Sequence, residues 1–160
     1  MDSRSDQDET RDSSTPPQGR SSQEEVELRT VDADGRVRPV TILIGGDSSA
    51  TRIALLDAGS LTEFSGTDHL DCLVQVRRQL EREGRLLCCQ GARPDVHPSG
   101  QLRQFTHGRE AYVRPPEGRG EIRETVDVFA PAAPAEVVSL EEQRAAILGA
   151  FHARHPADRI

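Results

Sequence analysis

The sequence predicts an α+β domain, a mostly antiparallel sheet of about six or seven strands covered by two helices. Three observations carry that expectation. Between residues 26 and 64, short runs of alternating apolar and polar residues are separated by Gly, Pro, Asp and Ser. Leu70, Leu73, Val74, Arg77 and Leu80 recur at spacings of three and four, the stripe of an amphipathic helix. A second helical run opens at Ser139, with Glu142 placed to complete a capping box.

Residues 1–25 contain no apolar residue after Met1 and carry seven acids against three Arg. Such a segment cannot offset the entropy of ordering, so a disordered acidic tail is expected, able to meet a partner or the chain's own basic face. The folded domain is then residues 26–152, with 153–160 fraying.

Val26 to Val31 alternates as a half-exposed strand does, and Asp34-Gly35 favours a tight hairpin turn. Pro39 opens the next strand, where Val40, Ile42 and Ile44 share one face. Gly45 to Ser49 reads as a second turn, Arg52 to Leu56 as a third strand and Leu61 to Phe64 as a fourth. The Gly45-Gly46 pair is no phosphate loop. It lacks a Gly-Lys-Ser/Thr ending, and a strand follows where the binding helix would start.

Residues 66–114 hold the centre of the fold. The helix is expected to be capped by Ser65 or Thr67 and to stop at Gly84, with Cys72 and Val76 broadening its apolar face. The stem of Arg77 can lie along the stripe while its charge reaches water. Leu86 to Cys89 is apolar on both faces, which predicts a central strand. Gln101–Phe105 and Arg109–Val113 flank Thr106-His107-Gly108, the length of a three-residue hairpin loop with Gly108 at positive φ. Thr125 to Phe129 forms a further strand. Pro131 to Pro134 is a stiff linker, and Leu140, Ala145, Ile147, Leu148 and Phe151 support the closing helix.

All 20 basic residues are Arg, against 27 acids, for a net charge of −7. The absence of Lys removes Lys nucleophiles and Schiff-base chemistry. Residues 77–123 run against the trend, with ten Arg and six acids. No apolar run approaches the roughly 20 residues that cross a bilayer, and three Cys in apolar elements suggest reduced thiols, so no membrane association and a cytoplasmic location are expected.

Three kinds of chemistry compete for residues 91–114. A metal site is not expected: Cys88 and Cys89 point to opposite faces of a strand, and Asp95 with His97 supplies only two ligands. No cofactor motif is present. Asp95, His97 and Ser99 suggest an acid, a base and a nucleophile, the basis for an alternative reading as a small hydrolase. Arg93, Arg103, Arg109 and Arg114 suggest a face for carboxylates or phosphates, since guanidinium groups bind both through paired hydrogen bonds. Low aromatic content and an acidic chain argue against nucleic acid. The favoured reading is a non-catalytic binding module, immunity-like or an adaptor, that takes an acidic protein or a small anion on this Arg-rich hairpin.

The stretch CQGARPDVHPSG from Cys89, followed by GREAYV, VDVFAPA and EEQRAA, resembles small α+β proteins of actinobacteria across roughly residues 40–150. The resemblance implies a bacterial, cytosolic protein and brings with it no activity, cofactor or catalytic residue.

Overall fold

The computed structural model describes residues 23–47, 50–115 and 124–154. The α+β class holds, as three helices with antiparallel sheets of five and three strands in a curled half-barrel. The expected single sheet is therefore divided in two.

The first sheet contains β1 (Glu24–Asp32), β2 (Val37–Asp47), β3 (Ala50–Asp57), β4 (Ser60–Gly66) and β5 (Arg85–Leu87), in the order β4-β3-β2-β1-β5. Its first four strands are the predicted meander. β2 runs on through Gly45 and Gly46, both still paired with β3, and residues 48–49 lie outside the described residues. Val40, Ile42 and Ile44 share the buried face as expected, alongside Leu28, Ile53 and Leu55. Burying one such aliphatic side chain stabilises the fold by about 1.5–3 kcal/mol.

Helix α1 (His69–Arg82) lies within the curl against β3, β4 and β5, burying Cys72, Leu73, Val76 and Leu80. Its cap is neither Ser65 nor Thr67 but Asp68, whose carboxylate accepts the Asp71 N–H at 2.8 Å. Asp71 reaches back to the Thr67 N–H at 3.0 Å. Gly84 takes φ 75° just beyond the helix, as predicted.

The structure corrects four expectations. β5 is an edge strand, not a central one. Cys88 and Cys89 leave the sheet and are covered instead by the 130–132 segment, where the Ala132 N–H donates to the Cys88 carbonyl and Cys89 bridges Pro131. Residues 101–105 are not a strand. They belong to helix α2 (Gly100–Thr106), capped by Ser99, whose Oγ accepts the Leu102 N–H at 3.1 Å. The hairpin therefore does not exist, and β7 (Glu110–Val113) pairs with β6 (Val96–His97) and β8 (Glu124–Asp127) in the second sheet. Glu24 and Glu25, assigned to the tail by composition, form the first rungs of β1, while residues 1–22 lie outside the described residues. Finally, Arg77 does not reach water: it is 2% exposed.

Arg77 explains how helix α3 (Leu140–Arg154) is attached. Its guanidinium donates to the Gly91 and Val138 carbonyls and, at 2.6 Å, to Gln143 Oε1 on α3. Gln143 Nε2 in turn donates to the carbonyls of Gly91 and Arg93. Of the predicted Ser139–Glu142 capping box, the cap itself forms, Ser139 Oγ accepting the Glu142 N–H, while Glu142 Oε1 accepts the Ser139 hydroxyl. Further along α3, Leu148 and Phe151 are exposed rather than packed. The expected fraying segment begins inside this helix, since α3 extends to Arg154, and residues 155–160 lie outside the described residues.

Candidate functional site

The four arginines of the predicted binding face do not stand together. Each is carried by a different element and meets a different partner. Arg93, beside the 3-10 turn at Gln90–Ala92, forks onto both oxygens of Asp95 at 3.0 and 2.7 Å and reaches Glu136 at 3.6 Å. Arg114, at the end of β7, donates to the Ala146 carbonyl of α3. These two lie on the α3 side of the molecule.

Arg103 and Arg109 converge instead on the N-terminal end of α1. Arg103, projecting from α2, grips the capping carboxylate of Asp68 through Nε at 2.5 Å and Nη2 at 3.0 Å. Arg109 holds two carboxylates at once. It meets Asp127 at 2.9 and 3.0 Å and Glu24 at 2.7 and 2.9 Å, and its guanidinium stacks 5.1 Å from the Phe129 ring centre. The Asp127 side is anchored, because Asp127 also accepts the Phe129 N–H. Glu24 is half open to solvent, at 51% side-chain exposure.

Two histidines complete this end. The turn after α2 places His107 at φ 56°, followed by Gly108 at φ 76°. A side chain at Gly108 would collide with Asp68 and the Leu70 backbone, so only glycine lets the turn sit this close to α1. The His107 carbonyl accepts both the backbone N–H of His69, at 3.0 Å, and its ring Nδ1–H, at 3.1 Å. His107 Nε2 lies 2.7 Å from the hydroxyl of Thr51 on β3. The two rings meet edge to face at 5.5 Å, and His69 makes a second edge contact with Phe129.

Charge follows this geometry. The Arg109 bond holds Glu24 below the ordinary carboxylate range. Burial works to raise Asp68, but Arg103 and the Asp71 amide outweigh it and the group is lowered. Burial lowers His69, and Arg109 and His107 push the same way. Burial pushes the thiols up, to about 11 for Cys72, which donates to the Thr51 carbonyl beside this cluster, and to about 12 for Cys89.

Two members of the predicted catalytic set, Asp95 and Ser99, make local structural bonds. Both Asp95 oxygens are held by Arg93, and Ser99 caps α2. His97 lies on β6 opposite Tyr112, their rings 6.5 Å apart. Among the described residues no group of three His, Cys, Asp or Glu side chains could hold a metal ion, and no helix is long and apolar enough to cross a membrane. The His69–His107–Thr51 cluster was missed by sequence reasoning, since its members are 18, 38 and 56 residues apart or join elements paired only in space. The one available signal was His107-Gly108, which was read as a hairpin loop.

No known protein-family signature matches the chain, and no curated protein does.

Proposed function

We propose that the protein is a non-catalytic binding module, an adaptor or immunity-like protein of the cytoplasm, that takes an acidic partner at the Arg103–Arg109 end. The observation that supports this reading is the double occupancy of Arg109. Asp127 fixes the guanidinium in place, while the exposed Glu24 fills the second half of the fork. A preformed fork carrying an exchangeable carboxylate is a site that a partner's carboxylate can enter without rebuilding the fold. Arg93 and Arg114, committed to the α3 side, drop out of the contact. The hydrolase reading gains nothing comparable, because Asp95 and Ser99 are both held in structural bonds.

Binding of a fluorescent poly-glutamate peptide to the full chain, measured by anisotropy at pH 7.5, tests the proposal. Affinity should fall as salt rises, since screening shortens the reach of charges to about 8 Å at physiological strength. Reversing Arg103 and Arg109 to Glu together should weaken binding more than about tenfold, equivalent to about 1.4 kcal/mol. His97→Ala should leave it unchanged. A double reversal that binds as tightly as wild type, or a His97→Ala variant that loses the peptide, overturns the assignment.

A further inference from the structure

We propose that His69 and His107 form an acid-released latch that holds the turn between α2 and β7 on the N-terminal end of α1. Three separate elements meet at these two rings, and the latch needs no partner.

The α2–β7 turn has three attachments to the body of the domain at this point. The His107 carbonyl takes two N–H groups of His69, the His107 ring reaches Thr51 on β3, and Arg103 grips Asp68. Two of the three pass through histidine. For Nδ1 of His69 to donate to a carbonyl it must carry the ring proton, so the neutral ring already satisfies this contact. A further proton therefore adds charge without adding a bond to the turn.

Burial and neighbouring positive charge oppose that proton and outweigh the His107 carbonyl and Asp68, which favour it. His69 is the first residue of α1, where the helix dipole presents its positive end. The centre of the His107 ring stands 5.5 Å from that of His69, edge to face, so the two rings disfavour charge on each other. On the Phe129 side, Arg109 adds a fixed positive charge. Four carboxylates surround the pair, but they are engaged. Asp68 is taken by Arg103, Asp71 by the Thr67 amide, and both Glu24 and Asp127 by Arg109. None can turn to the imidazolium without releasing its present partner. The lowered titration of His69, caused first by burial, agrees with this arrangement.

The turn itself stores the means of release. His107 is a non-glycine residue at positive φ, a conformation that costs free energy unless its surroundings enforce it. With the contact to α1 weakened, that conformation is left to the Thr51 contact and to the end of α2, where the Gly108 N–H donates to the Arg103 carbonyl and the Arg109 N–H to the Thr106 carbonyl. Release would loosen Arg103 and Arg109 as well, because both flank the turn.

The sign of the effect follows from linkage. A histidine whose folded pKa is lowered binds fewer protons in the folded state than in the open one. Its stabilising contribution is complete above the ordinary value of 6.5 and is lost as pH falls below it. The lowered carboxylates act in a lower range, below the ordinary values of 3.8 for Asp68 and 4.5 for Glu24.

Hydrogen exchange on the full chain, read by NMR between pH 7.5 and 5.5 and corrected for intrinsic rates, tests the latch. The amides of His69 and Arg109 should open about fivefold or more readily at the lower pH, the small end of coupling between linked equilibria. Amides of the β2–β3 ladder should not follow. In parallel the His69 ring should titrate below a free histidine. His69→Gln keeps a donor for the His107 carbonyl and cannot titrate, so it should flatten the response. If that variant fails to fold, the wild-type titration and exchange alone decide. Unchanged protection at His69 and Arg109 across this range, or an equal response in His69→Gln, overturns the proposal.

Discussion

Arg77 and Arg85 are 2% and 4% exposed, whereas Arg103 and Arg109 are 39% and 22% exposed at the side chain. The same residue type does two jobs, and the difference lies in what receives each donor. Arg77 gives its hydrogen bonds to two backbone carbonyls and an amide oxygen, with the Glu81 carboxylate only at 3.9 Å. Burial lowers it from its ordinary value, yet its fork is filled by backbone and amide dipoles. Arg85 sits between these cases, tying the Thr30 hydroxyl of β1 to Asp57 at the β3–β4 turn. Arg109 faces carboxylates that are themselves within reach of water, so its bonds are exchangeable, whereas Arg103, itself at the rim, holds the buried Asp68. A buried arginine holds a fold together; Arg109, at the rim, pairs with carboxylates that water also reaches.

The largest effect should come from Arg77→Ala. Removing the guanidinium leaves the half-buried Val138 carbonyl and Gln143 Oε1 without their charged donor, each orphan costing about 1–3 kcal/mol. With the lost stem packing, a loss of about 3 kcal/mol or more is expected from urea unfolding at constant m value. Arg77→Lys should rescue little, because an ammonium cannot span three acceptors in one plane. A loss below about 1 kcal/mol, the range of surface pairs, would erase the distinction between the two classes.

Arg85→Ala sharpens the comparison from the middle. It removes charge-assisted bonds to Asp57 but leaves that carboxylate partly in water, at 22% exposure. The expected loss is about 1.5–3 kcal/mol, measured in the same unfolding experiment. An effect as large as that of Arg77→Ala would mean that burial of the arginine alone, and not of its acceptors, sets the cost.

The contrast also marks what could be read before the structure. The meander of β1 to β4, helix α1 and its stop at Gly84 were legible, because each rests on local periodicity and turn chemistry. The fate of Arg77 was not. Its stripe position suggested a stem lying on apolar surface with a solvated head, but its acceptors arrive from Gly91, Val138 and Gln143, up to 66 residues away. Helix α2 was misread for a different reason. Leu102 and Phe105 are three apart, and Phe105 is 79% exposed, so no buried face disciplines the pattern. A glycine at positive φ after the segment serves a hairpin loop and a helix end equally well. Ser99 as a cap was the deciding signal, and it was given to catalysis. The four arginines are expected from the sequence to form one anion-binding face. Their dispersal over separate elements depended on that missed helix.

The smallest expected effect is the most informative for the rim. Glu24→Gln removes one of the two carboxylates on Arg109 and leaves Asp127 in place. Because Glu24 is half exposed, its pair should contribute less than about 1 kcal/mol, so the unfolding midpoint at pH 7 should barely move. The pH dependence carries the sharper signature. Arg109 holds Glu24 below its ordinary value of 4.5, so its contribution is present above that value and is lost as pH falls through the lowered one. The variant should therefore show a slightly shallower loss of stability below about pH 4.5 than wild type, with the two curves offset by a constant at neutral pH. The same substitution vacates half of the Arg109 fork and should tighten binding of poly-glutamate while costing the fold almost nothing. If Glu24→Gln instead destabilises the domain as strongly as Arg85→Ala, Glu24 belongs with the buried pairs, and Arg109 is a structural arginine like the other two.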